Sequence, residues 1–136
     1  MKLILSTIIV GIVLFLLGGL FFSLLFADYY KANFGFIMRS ESDFKMWAFA
    51  VGSLARAFFM YIIYSKGYAG GSPFMEGLKF GFWIGLFFAV PYVFFTWGGS
   101  PVHYQPVIID GALNFVMILI AGIVTGIIHG RKPAVK

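Results

Sequence analysis

LILSTIIVGIVLFLLGGLFFSLLFA, the stretch from Leu3 to Ala27, runs for 25 residues without a charged side chain. As a helix rising about 1.5 Å per residue, it exceeds the roughly 30 Å hydrocarbon layer of a bilayer and leaves length for tilt. A cleaved signal peptide carries a shorter apolar region, about 7 to 15 residues, and a small-residue cleavage site. This run is longer and closes on Leu25-Phe26-Ala27-Asp28 without such a site, so it is expected to be retained as a membrane helix.

Three more runs of the same kind follow. Phe44 to Tyr64 is bracketed by Asp43 and Lys45 on one side and Lys66 on the other, and carries Arg56 in its middle. Phe74 to Trp97 holds Glu76 and Lys79 in its first turns and Pro91 inside it, and Val107 to His129 holds Asp110 near its start. Short glycine- and proline-bearing connectors, Gly67 to Pro73 and Gly98 to Pro101, separate the last three runs. The longest connector, Asp28 to Asp43, has room for a short interfacial helix. The expected fold is an all-α membrane protein, one domain over 1–136, with spans of about 3–27, 44–64, 74–97 and 107–129 in an antiparallel bundle. Helices suit that setting because lipid offers backbone groups no hydrogen-bond partner.

Composition agrees with that solvent. Of 136 residues, 61% are apolar, 21% aromatic and 11% charged, against roughly a quarter charged in a soluble domain. The absence of cysteine excludes disulfides, thiolate metal sites and a cysteine nucleophile. The net charge of +5 is spread along the chain, so no nucleic-acid partner is expected and the basic residues are read for orientation. Lys2, Lys66, Lys79, Arg131, Lys132 and Lys136 fall on one side and Lys31, Arg39 and Lys45 on the other. Six against three favours both termini in the cytoplasm. Aromatic girdles fit the same arrangement, with Tyr29, Tyr30, Trp47, Trp97 and Tyr104 near one interface and Tyr61, Tyr64 and Tyr68 near the other.

Membrane helices associate by close packing, which small residues four apart permit. The third span carries Gly77, Gly81, Gly85 and Ala89 on one stripe, and the fourth carries Gly122, Gly126 and Gly130. These two faces are expected to pack, within one chain or between copies. Ala48 and Gly52, and Gly11, Gly18 and Gly19, offer lesser stripes in the second and first spans. Pro91 removes a backbone donor and crowds the carbonyl of Phe87, which predicts a bend. An echo between Gly19-Leu20-Phe21-Phe22-Ser23 and Gly85-Leu86-Phe87-Phe88-Ala89 suggests two tandem hairpins, although short matches arise easily in so apolar an alphabet.

The candidate chemistry is sparse. Arg56 falls near the bilayer centre, where an arginine costs roughly 2.5 to 3.5 kcal/mol. Asp110 and Asn114, one turn apart, make a polar ladder descending towards it, and Glu76 is the alternative partner. The plainer reading is that Arg56 snorkels past Tyr61 or forms a packing ion pair. His103 and His129 fall at opposite ends of the fourth span, so they cannot share one haem or metal within a monomer. His129 suits the helix C-terminus, where a cationic side chain meets the dipole; a haem or chlorophyll ligand is the sharper alternative. No phosphate-binding glycine motif occurs and the five acids make a poor case for an enzyme, so no cofactor and no metal are expected.

The chain resembles small four-span bacterial membrane proteins without an agreed activity. The resemblance rests on a glycine-bearing first helix closing on Asp28-Tyr29-Tyr30-Lys31-Ala32-Asn33, a second helix bearing Trp47, a third opening with Gly77-Leu78-Lys79, and a glycine-striped fourth. It implies four spans and a cell-membrane location, the inner membrane of a bacterium, and no activity. The expected function is association in the bilayer, as an accessory or structural subunit beside other membrane subunits or as a homo-oligomer. The alternative is a small transporter or channel whose polar path involves Arg56, Asp110 and Asn114. A pigment-binding protein or membrane enzyme using His103 or His129 is a third, weaker reading.

Overall fold

The computed structural model describes residues 1–130; Arg131, Lys132 and Lys136, half of the larger side of the orientation count, lie outside the described residues. Five helices follow one another: α1 (Lys2–Gly18), α2 (Ala27–Phe34), α3 (Met46–Gly67), α4 (Pro73–Gly99) and α5 (Tyr104–Gly130). No strand occurs among the described residues. Four segments, Lys2–Leu25, Met46–Gly67, Pro73–Gly99 and Tyr104–Gly130, are helices long and apolar enough to cross a membrane.

The boundaries differ from expectation for local reasons. The first long segment is α-helical to Gly18 and then widens into a π-helical stretch, Gly19–Leu25, closed by the Phe26 amide donating to the Phe21 carbonyl at 2.9 Å. The widening re-aims the chain into α2. The third helix starts two residues late because Glu41–Asp43 form a 3-10 turn and Phe44 is extended. Helices α4 and α5 are longer than their apolar runs. Pro73 opens α4 and Pro106 lies in the first turn of α5, where a missing amide hydrogen leaves no bond unmade. Helix α4 continues unbroken through Pro91. Between α3 and α4 the chain turns through Gly70, whose φ of 86° only glycine adopts without strain.

Neighbouring helices run antiparallel. The tightest pair is α4 with α5, where a methyl group on Gly77 would stand 2.6 Å from the Gly122 carbonyl oxygen, and one on Gly81 would stand 2.8 Å from that of Leu119. One on Gly85 would meet the Phe115 ring at 2.7 Å. Each step of four up α4 is thus a step of about four down α5. Gly126 and Gly130 extend the contact to Pro73. The two stripes therefore meet inside one chain.

Helix α1 packs on α3 where Gly11 faces Leu54, and on α5 where Gly18 faces Met117. Val10, Leu14, Ala57, Met60, Met117, Ile118, Ala121 and Ile128 fill the centre. Helices α3 and α4, although consecutive, hardly approach each other along their backbones. They meet through side chains, Tyr64 on Phe80 and Arg56 on Phe88. The bundle is thus ordered α3, α1, α5, α4, with a seam between its first and last members.

The pentapeptide echo is not structural. Gly19-Leu20-Phe21-Phe22-Ser23 lies in the π-helical stretch, with open space around Gly19, whereas Gly85-Leu86-Phe87-Phe88-Ala89 is α-helical and pressed against Phe115. Outward-facing positions around the bundle are strongly apolar: Phe87 and Phe95 are each 78% exposed and Trp83 68%, a surface unsuited to water.

Candidate functional site

Helix α2 explains why an acid is tolerated at Asp110. Its Tyr30 and Phe34 lie four apart, so both point inward, and with Val102 and Val107 they form a second small core at the end of the bundle where α2 lies. Tyr30 stacks on Phe34 with ring centroids 5.2 Å apart and meets the edge of Phe22 at 4.9 Å. That packing fixes its hydroxyl, which donates to Asp110 Oδ1. Burial first, then the Asp110 carboxyl, push the Tyr30 phenol far above its ordinary value, so it remains a donor.

Three donors enclose Asp110, which is 6% exposed. Besides Tyr30, the Tyr92 hydroxyl donates to Oδ2. Asn114 Nδ2 lies 3.3 Å from Oδ1 and 2.9 Å from the Asp110 backbone carbonyl. A buried carboxyl is tolerable when its lone pairs are met by hydrogen-bond donors. Asp110 therefore joins α2, α4 and α5 at one point.

Arg56 is placed otherwise. Its guanidinium carbon lies 4.9 Å from the centroid of the Phe88 ring, within cation–π range. Phe88 stacks in turn on Tyr92 at 5.7 Å. Neither expected acid reaches Arg56: Asp110 is held by the tyrosines on the far side of those two rings, and Glu76 lies at the opposite end of α4, its carboxylate over Gly71. Among the described residues the ion pairs are Lys31–Glu41 at 3.2 Å, Arg39–Asp43 at 2.6 Å and Lys45–Asp43 at 2.7 Å, all in the connector before α3. Asp110 and Asn114 are thus hydrogen-bonded to each other, while the Phe88 and Tyr92 rings lie between them and Arg56.

At the other end of the bundle Lys2 Nζ donates to the His129 carbonyl at 2.6 Å, satisfying a helix C-terminus. The His129 ring packs among Tyr61, Tyr64 and Tyr68, with Nδ1 3.2 Å from the Tyr61 hydroxyl. His103 is exposed in the connector before α5, a helix length away. Among the described residues no group of three His, Cys, Asp or Glu side chains is placed to hold a metal ion.

Tyr30 and Tyr92, the two tyrosines that hold Asp110, are residues of the candidate site that the sequence does not single out. Tyr30 reads as an interfacial girdle residue. The signal for Tyr92 lies in the glycine register: once Gly81 faces Gly122 and Gly85 faces Phe115, the antiparallel step brings Tyr92 level with Asp110. No family model, curated protein or solved structure matches the chain.

Proposed function

We propose that this protein is a multi-pass protein of the cell membrane, both termini cytoplasmic, serving as an accessory subunit of a membrane assembly whose partner is held through Arg56. Four long apolar helices and a greasy exterior support the membrane placement. Orientation follows the basic residues: Lys31, Arg39 and Lys45 at the outer end are each ion-paired to a carboxylate, while Arg131, Lys132 and Lys136 add to the inner side.

The observation that carries the partner reading is a cation midway along α3 with an aromatic ring as its neighbour and no acid in reach. A cation–π contact contributes about 2 kcal/mol or more when desolvated, against roughly 2.5 to 3.5 kcal/mol for an arginine at mid-membrane. An acidic side chain from a neighbouring span would offset the remainder and complete the hydrogen bonds of the guanidinium. A second copy of this chain is poorly suited to supply it, because Asp110 is enclosed and Glu76 lies at the membrane edge. The backbone beside Arg56 is open for approach, with no atom within 4 Å of a methyl group at Gly52. The glycine faces of α4 and α5, by contrast, are occupied within the chain.

The test compares the tagged full chain, Arg56→Lys and Arg56→Leu after solubilisation in mild detergent, with co-purifying proteins identified by mass. The expected outcome is a membrane protein with an acidic residue inside a span, weakened by Arg56→Lys and lost with Arg56→Leu, and lost equally when that acid is neutralised. An unchanged set of companions in Arg56→Leu refutes the reading. The transporter alternative draws on the line of contacts from Arg56 through Phe88 and Tyr92 to Asp110. It predicts lost flux with companions retained.

A further inference from the structure

The inner end of the α3–α4 seam opens into a cleft of about 260 Å³, lined among others by Tyr64, Gly67, Glu76, Lys79, Phe80 and Trp83. We infer that this cleft binds the headgroup of a phospholipid bearing a primary amine, the zwitterionic phosphoethanolamine type. The inference rests on the membrane placement proposed above and not on the partner held by Arg56.

Three observations converge. Glu76 and Lys79 are three residues apart on α4, close enough to pair, yet neither forms an ion pair among the described residues. One negative and one positive side chain therefore stand at the rim of the same cleft without pairing to each other. Tyr64 is 3% exposed, and its hydroxyl is buried with no hydrogen-bond partner. Buried hydroxyls are nearly always satisfied, so a lone one beside a cleft marks a missing acceptor. Finally, Trp83 is 68% exposed and adjoins Phe80 and Ile84 in the cleft wall. Trp83 follows Pro73 by ten residues, about 15 Å along α4, so it gives the cleft an apolar wall on the hydrocarbon side of its charged rim.

A phosphoethanolamine headgroup answers each of these. Its phosphate accepts from the Lys79 ammonium and from the Tyr64 hydroxyl, and its own ammonium donates to Glu76. Phosphate and ammonium are separated by two carbons, comparable with the roughly 5–6 Å between side chains three apart on a helix. The cleft has room for the headgroup, and the acyl chains lie outside along Trp83 and Ile84. A quaternary choline has no hydrogen to donate to Glu76, and a purely anionic headgroup brings its charge against that carboxylate. The site therefore selects for the amine.

The test is native mass spectrometry of the purified full chain in detergent, titrated with phosphatidylethanolamine, phosphatidylcholine and phosphatidylglycerol of identical acyl chains. The ethanolamine lipid is expected to be retained roughly tenfold more than either other lipid, the scale of one charge-assisted hydrogen bond. Glu76→Gln should bring its retention down to that of phosphatidylcholine, and Lys79→Gln should lower retention of all three. Tyr64→Phe, which keeps the ring packing, should lower ethanolamine-lipid retention about fivefold. Arg56→Leu removes no group that meets the headgroup and should keep the order of preference among the three lipids, which separates this inference from the partner reading. Equal retention of the three lipids, a preference for choline or glycerol headgroups, or indifference to Glu76→Gln and Lys79→Gln would overturn the assignment.

Discussion

Substituting Gly122 by alanine tests whether backbone contact between α4 and α5 organises the bundle. The added methyl carbon would lie 2.5 Å from Gly81 Cα, 2.7 Å from Gly81 N and 2.8 Å from the Gly77 carbonyl oxygen. Carbon atoms in contact are about 3.5–4.0 Å apart, so the shortfall is on the order of 1 Å. All three obstacles are main-chain atoms, and no rotamer change can relieve them. The two helices must separate, and separation also loosens the contacts of Gly77 with Gly126 and of Gly81 with Leu119. Overpacking costs roughly 1 to 3 kcal/mol. Without a flexible neighbour, Gly122→Ala should fall at about 2 to 3 kcal/mol, a 30- to 150-fold loss in the folding constant. Gly52→Ala is the internal control, because no atom lies within 4 Å of a methyl group there. It should be neutral or stabilising by up to about 1 kcal/mol, the glycine-to-alanine difference in helix propensity. Both are read by far-ultraviolet circular dichroism of the full chain in micelles, titrated with a denaturing detergent. Equal midpoints for Gly122→Ala and wild type would refute the reasoning, as would a destabilised Gly52→Ala.

At the Asp110 junction, Tyr92→Phe should destabilise by about 0.6 to 1.7 kcal/mol, the range for one side-chain hydrogen bond between membrane helices. Asp110→Ala should cost more, since it strands the hydroxyls of both tyrosines. The double variant should be no worse than Asp110→Ala alone; strictly additive losses in a double-mutant cycle would contradict a shared bond. In the connector, Asp43 accepts from Lys45 and Arg39, which hold its carboxyl below the usual carboxylate range. Its contribution is then fully present above the unfolded value of about 3.9 and is lost only as pH falls through the lower folded value. Because these pairs are exposed, the effect should shrink with added salt. Carboxyl-carbon chemical shifts of Asp43 followed against pH check this, and a midpoint at or above 3.9 would exclude the pairing.

The long apolar helices and their packing faces were legible because each depends on short-range regularity. Charge-free length shows in a window of about twenty residues, and the Gly77, Gly81, Gly85 and Gly122, Gly126, Gly130 stripes repeat every fourth position. The partner of Asp110 was not legible in the same way. Tyr30 comes from a helix of eight residues in the connector, and its inward direction depends on the π-helical stretch from Gly19 to Leu25, which no apolar pattern announces. Arg56 illustrates a different limit. Its depth along α3 was readable, but its direction towards Phe88 follows from the order of the helices around the bundle, in which the sequence neighbours α3 and α4 hardly approach along their backbones.

That weak seam joins the two proposals. In α4 and α5, glycine brings main chains together and lets nothing in between; α1 and α3 approach closely at Gly11 and Leu54. Between α3 and α4, contact rests on Tyr64 against Phe80 and Arg56 against Phe88, with ring-to-ring or ring-to-cation distances of 5.2 and 4.9 Å. Tyr64 lies two turns beyond Arg56, about 12 Å along the helix. Arg56, Glu76 and Lys79 all fall along this seam, whereas Asp110 is sealed among donors away from it. Charges without partners are costly in lipid, and a bundle needing only internal stability would gain by closing the seam with glycine, as α4 and α5 do. Side-chain contacts between α3 and α4 can part without breaking the glycine-packed hairpin, so this is the side on which a lipid or a partner helix can enter at least cost.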